Sequence, residues 1–141
     1  MFEETVLRLT TPDVLEDYLK SNFRLAYHEG SIAYSPEEFF NCKEGDCKDY
    51  AAFASYVLAC HDYYTRIVTF TWYDVDGERN GHVIVYFKDS DGKLRYMSNG
   101  HIVAAVESLA GLFKAEKKRL KADRIEGYFV LRPGTTKLRS P

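Results

Sequence analysis

Gly45-Asp46-Cys47-Lys48-Asp49-Tyr50-Ala51-Ala52-Phe53 is the stretch whose reading decides the fold. A turn ending in Gly45-Asp46 hands over to a long alanine-rich segment from Cys47 to about His61. Tyr50, Ala51, Ala54, Val57 and Leu58 recur there on one apolar stripe, so the spacing predicts an amphipathic helix with Cys47 at its first turn. A thiol at a helix N-terminus faces unpaired N–H groups and the positive end of the helix dipole, both of which favour the thiolate. The thiolate is the nucleophile of covalent catalysis, and the same N–H groups can hold an oxyanion. A structural cysteine would fit this position too.

Two helix starts precede this segment. Thr10-Thr11-Pro12-Asp13 opens one carrying Val14, Leu15, Tyr18 and Leu19, and Ser35-Pro36-Glu37-Glu38 opens a short one holding Phe39 and Phe40. Strands follow it: Thr65 to Tyr73, His82 to Lys88 and Lys93 to Asn99, separated by Asp- and Gly-containing turns. Ala104 to about Lys121 reads as a helix, Tyr128 to Leu131 as a closing strand, and the tail after Pro133 as frayed. Helices gathered ahead of an antiparallel sheet make the class α+β, in one domain over residues 1–141.

The bulk numbers exclude several roles. A net charge of -2 offers no electrostatic footprint for nucleic acid or an anionic membrane. No apolar run is long enough to span a bilayer, and Met1-Phe2-Glu3-Glu4 is acidic where a signal peptide would be basic. Three cysteines is an odd number for a disulfide framework, so reduced thiols and a cytoplasmic setting are expected. No Cys-x-x-Cys or His-x-x-x-His pair is present, so no metal and no cofactor are expected.

A thiolate nucleophile wants an imidazole. His28 lies in a polar loop, His61 at the helix end, and His101 after the third strand, whereas His82 opens an alternating strand directly after Gly81. The hairpin between the second and third strands then decides what faces His82. A four-residue turn over Asp89 to Gly92 places Asn99 opposite His82. A two-residue Asp91-Gly92 turn places Asn99 on the diagonal, and a three-residue loop presents Ser98 instead. Asn99 is read as the group that fixes the His82 tautomer, beside its other reading as the turn residue of Ser98-Asn99-Gly100.

These residues resemble the transglutaminase-like, papain-fold cysteine hydrolases. That family opens its catalytic helix with Gly-x-Cys, an acid, an aromatic and alanine, as Gly45 to Ala51 does here. A strand carrying His follows, matched by Gly81-His82-Val83, and the next carries Asp or Asn, matched by Ser98-Asn99. Two positions depart from the pattern: Ile84 stands where tryptophan is common, and Asn99 where most members have Asp.

The resemblance implies a triad of Cys47, His82 and Asn99 cleaving or transferring a peptide-like amide through a thioester. Asn41, six residues before Cys47, stands at the offset where papain-like enzymes place an amide oxyanion donor. The other class of reading is a binding module that keeps the fold without turnover. Cys60 is expected to be a buried hydrophobe and Cys42 incidental. The late basic run of Lys114, Lys117, Lys118, Arg119, Lys121 and Arg124, interleaved with Glu116, is expected to be a solvated face.

Overall fold

The computed structural model describes residues 1–138. Five helices and seven strands follow in the order α1 (Phe2–Arg8), α2 (Pro12–Asn22), β1 (Arg24–Leu25), α3 (Pro36–Cys42), β2 (Glu44–Gly45), α4 (Cys47–Cys60), β3 (Thr65–Tyr73), β4 (Arg79–Lys88), β5 (Leu94–Ser98), β6 (His101–Val106), α5 (Leu109–Leu120) and β7 (Arg124–Leu131). Five of the strands form a sheet in the order β6-β5-β4-β3-β7, with every adjoining pair antiparallel. The architecture is α+β, as expected.

The helix starts follow the sequence signals. The Thr11 side chain accepts from the Val14 N–H, and Ser35 and Glu38 form a reciprocal capping box. The sheet separates two apolar layers. Ile67, Val83, Val85, Phe87 and Met97 face α4 and the N-terminal helices, whereas Val68, Phe70, Ile84 and Tyr96 face Leu112 of α5. Alternation along each strand produces this division, since successive side chains point to opposite faces.

Three expectations need correction, and one helix lies where none was expected. Residues 104–106, expected to start a helix, belong to strand β6: Asn99 (φ 51°) and Gly100 (φ 79°) make a two-residue hairpin turn, and His101 pairs directly with Ser98. Phe2–Arg8 adds a helix that carried no strong start signal. The tail up to residue 138 is docked, not frayed: Ala33 N–H donates to Thr136 O, Leu138 N–H donates to Ser31 O, and Leu138 is buried. Cys60 is exposed, because α4 turns its last two residues off the core.

Candidate functional site

Asp46 caps α4. Its Oδ1 accepts from the Lys48 N–H at 3.3 Å, and its own N–H donates to Asp49 Oδ2 at 2.8 Å. This box puts Cys47 at the first position of the helix, where backbone N–H groups have no intrahelical partner. Asp49 is fully buried and also receives the Tyr34 N–H at 2.7 Å and His28 Nε2 at 2.5 Å. Lys48 is nearly buried and bonds Asp46 Oδ2 at 2.6 Å and His28 O at 2.9 Å. His28, Asp46 and Asp49 bring three metal-competent donors within 4.8 Å of one another, which spacing in the sequence did not suggest. Their hydrogen bonds run to one another, and the Lys48 ammonium supplies the positive charge.

Cys47 is half-buried, and the Val83 N–H is aimed at its sulfur. Burial pushes the thiol above its ordinary range, and Asp46 adds to this. The Val83 N–H, Lys48 and the Lys48 N–H work in the opposite direction without overcoming it. The resting group is therefore a thiol, where the helix dipole alone predicts a thiolate.

Cys47 and His82 line one cleft of about 480 Å³, together with Tyr27, Ser31, Lys48, Thr69 and Leu138. His82 falls on the α5 side of the sheet by strand alternation, next to Phe70, while Cys47 opens a helix on the other side. Both line the cleft near the start of β4, where the Cys47 sulfur receives the Val83 N–H.

His82 Nε2 lies 2.8 Å from Ser98 Oγ. Asn99 is therefore not the partner the even hairpin registers predict. Asp89 N–H donates to Lys93 O at 2.8 Å, so the β4–β5 loop has three residues, and Ser98 turns to the His82 face. Asn99 occupies the left-handed turn position, and its buried Oδ1 has no hydrogen-bond partner among the described residues. Asn41 is exposed and lines a different depression with Tyr34, Glu38 and Cys42, away from the Cys47 cleft.

Helix α5 corrects the expected solvated face: Glu116 and Arg119 of the basic run turn toward the sheet. Glu116 is fully buried and accepts from Tyr96 Oη at 2.8 Å and from Arg119 Nε and Nη2, both at 2.7 Å. Arg119 Nη2 also donates to Ser98 Oγ at 3.1 Å and lies 3.4 Å from His82 Nε2, while Glu116 Oε2 lies 4.0 Å from the same nitrogen. Burial takes the imidazole down to about 4. Glu116 opposes that change and Arg119 reinforces it. The available signal was spacing: Leu109, Leu112, Phe113, Glu116 and Leu120 share one helical stripe, so Glu116 is an acid on an apolar face.

The solved structures to which this fold is similar include calcium-bound LapG of Legionella pneumophila, at TM-score 0.56 and 15% identity over 96% of this chain and 77% of that one. The EGTA-treated form aligns at TM-score 0.55 and 15% identity, over 78% and 64%. A further LapG structure aligns at 0.54 and 15%, over 72% and 62%. In these last two the chain spans less than two-thirds of the LapG length. A comparison with curated proteins finds no match. The model of the transglutaminase-like superfamily matches residues 8–98, about two-thirds of the chain and every element from α2 to β5, and the chain belongs to that superfamily.

Proposed function

We propose that the protein is a cysteine-dependent hydrolase or acyl-transfer enzyme acting on a peptide-like amide. The observation that carries this reading is the shared cleft: a helix-start thiol that receives the Val83 N–H lines the same cleft as an imidazole whose Nε2 is already held by Ser98. Nδ1 is then the nitrogen left for the thiol. In the proposed cycle Nδ1 takes the Cys47 proton as the sulfur attacks the carbonyl carbon. The Cys47 N–H supports the oxyanion. The carbon–nitrogen bond breaks as the imidazolium returns that proton to the leaving amine, and a thioester remains. Water or an amine, deprotonated by the same nitrogen, releases an acid or a new amide and restores the thiol.

The site residues proposed are Cys47 and His82, with Ser98 in the orienting place first assigned to Asn99. A peptide or protein amide is the proposed substrate, and a reducing, cytoplasmic setting suits a working thiol. Among the described residues no helix is long and apolar enough to cross a membrane. The second reading, a binding module without turnover, draws on the neutral resting state of both groups.

Limited alkylation with iodoacetamide across pH, mapped by mass spectrometry, separates the two. Cys42 and Cys60 are exposed and serve as internal references for labelling. Cys47 labelling whose pH profile departs from those references, and which His82→Gln abolishes, supports the enzyme. Slow Cys47 labelling that His82→Gln leaves untouched supports the binding module.

A further inference from the structure

The imidazole of His82 is held by a hydroxyl, which carries no charge to support an imidazolium. A buried charge lies directly behind it. Glu116 is enclosed between α5 and the sheet, where an ionised carboxylate is costly unless its oxygens are well bonded. They are: Tyr96 Oη and Arg119 Nε reach Oε1, and Arg119 Nη2 reaches Oε2. The same Nη2 continues to Ser98 Oγ at 3.1 Å, and Ser98 holds His82 Nε2 at 2.8 Å. Each element of this chain faces the imidazole from the α5 side. The ionisable groups around the ring are Glu116 and Arg119 of α5, with Tyr96 of β5 behind Glu116, while Cys47 at the start of α4 lines the cleft that His82 also lines.

We propose that Glu116 is a positioning residue for His82, supplied by α5: clamped by Arg119, it fixes the Ser98 hydroxyl that holds Nε2, and at 4.0 Å it provides the negative charge an imidazolium requires. Arg119 has two opposed effects. Its fork holds the Glu116 carboxylate and orients Ser98, and its own charge, 3.4 Å from Nε2, opposes protonation of the ring. The proposal rests on the reading of Cys47 and His82 as a reacting pair, and its test is chosen to stand apart from that reading.

The test follows the His82 ring by NMR as pH is varied, with His82→Gln identifying its signals, in Glu116→Gln, Arg119→Met and Glu116→Gln/Ser98→Asp proteins. The two single changes should move the titration in opposite directions, each by about one pH unit or more: downward without the carboxylate, upward without the guanidinium. Restoring a carboxylate at Ser98 should return the titration of the double variant to at least the unmodified position. A purely structural role for Glu116 would not produce shifts of opposite sign. Equal titrations in all the proteins, or a shift of one sign for both single changes, would overturn the proposal. If Glu116→Gln fails to fold, Glu116→Asp decides: its shorter carboxylate stands farther from Nε2 and should lower the His82 titration, and an unchanged titration would overturn the proposal. The alkylation profile of Cys47 in the same proteins reports separately on the reacting pair. Opposed titration shifts with an unresponsive Cys47 would uphold the role of Glu116 and reject the thiol chemistry.

Discussion

Gly45→Ala should be among the most damaging single-methyl additions in the chain. A Cβ at Gly45 would stand 2.6 Å from Asp49 Oδ2, 2.8 Å from Asp49 Cβ and 2.8 Å from Phe39 Cε1. Neither neighbour can yield easily. Asp49 is fully buried and holds the Asp46 N–H, the Tyr34 N–H and His28, while Phe39 is fully buried with its ring 4.6 Å from Phe23 and 5.0 Å from Tyr50. Overpacking of this kind costs about 1–3 kcal/mol, and a displaced helix cap adds about 1 kcal/mol. The total of about 2–4 kcal/mol corresponds to a melting temperature lower by roughly 5–15 °C for a chain of this size. Gly111→Ala is the control, since its new methyl meets only ordinary contacts, Ser108 Oγ at 3.5 Å and Val106 Cβ at 3.8 Å, in a helix where alanine is favoured. Thermal denaturation followed by circular dichroism checks both. A Gly45→Ala midpoint within about 2 °C of the parent would refute the claim that Gly45 is required by the packing beneath Cys47.

Other outcomes follow from the same structure. Leu112→Ala should cost about 2–5 kcal/mol, read from urea denaturation, because Leu112 is the fully buried apolar side chain that α5 packs on the second face of the sheet. Cys60→Ser should leave the melting temperature close to the parent value, since Cys60 is exposed. Cys47→Ala should abolish any amidase turnover while the protein still melts cooperatively. His82 contributes a pH dependence whose sign is fixed: its folded value of about 4 lies below the ordinary 6.5, so the unfolded chain binds the proton first as pH falls. The associated stability is intact above about pH 6.5, declines below it, and is lost by about pH 4, up to about 3 kcal/mol in all. Comparing urea midpoints of the parent and His82→Gln proteins at pH 7 and pH 4.5 checks this. The gap between them should narrow or reverse at the lower pH.

The elements that the sequence made legible are those carried by local chemistry. Thr11-Pro12 and Ser35-Pro36 start helices, Cys47 opens α4, and the β-branched, aromatic run of residues 65–73 is β3 to the residue. Each depends on propensity and capping within a few residues. Burial is a tertiary property, and the misreadings concentrate there. The dipole of α4 favours a Cys47 thiolate, yet the cleft wall that α4 and β4 build around the sulfur reverses the outcome. Glu116 stood in a run of charges, and only the position of α5 across the sheet shows that its stripe faces inward.

The assignment of Asn99 and the missed strand β6 have one cause. Strand alternation sets which residues share a face, but the phase between two strands depends on the loop that joins them, and adding one residue exchanges the faces. Gly92, at φ 81°, takes the left-handed last position of a three-residue loop, which brings Ser98 and not Asn99 onto the face of His82. Asn99-Gly100 independently forms the next hairpin, and that turn needs positive φ at both residues. Gly100 is also confined there, because a Cβ would come 2.9 Å from the Tyr50 ring of α4. A residue that supplies a tight turn cannot also extend the strand toward the imidazole. Had Asn99-Gly100 been read as a hairpin, the β-branched residues after His101 would have become a strand, and Ser98, as the last residue before the turn, the partner of His82. The orienting group at this site thus follows from turn chemistry on both sides of β5. Lengthening the Ser90-Asp91-Gly92 loop by one glycine should break the His82–Ser98 contact, visible as a changed His82 titration, without altering any residue of the site.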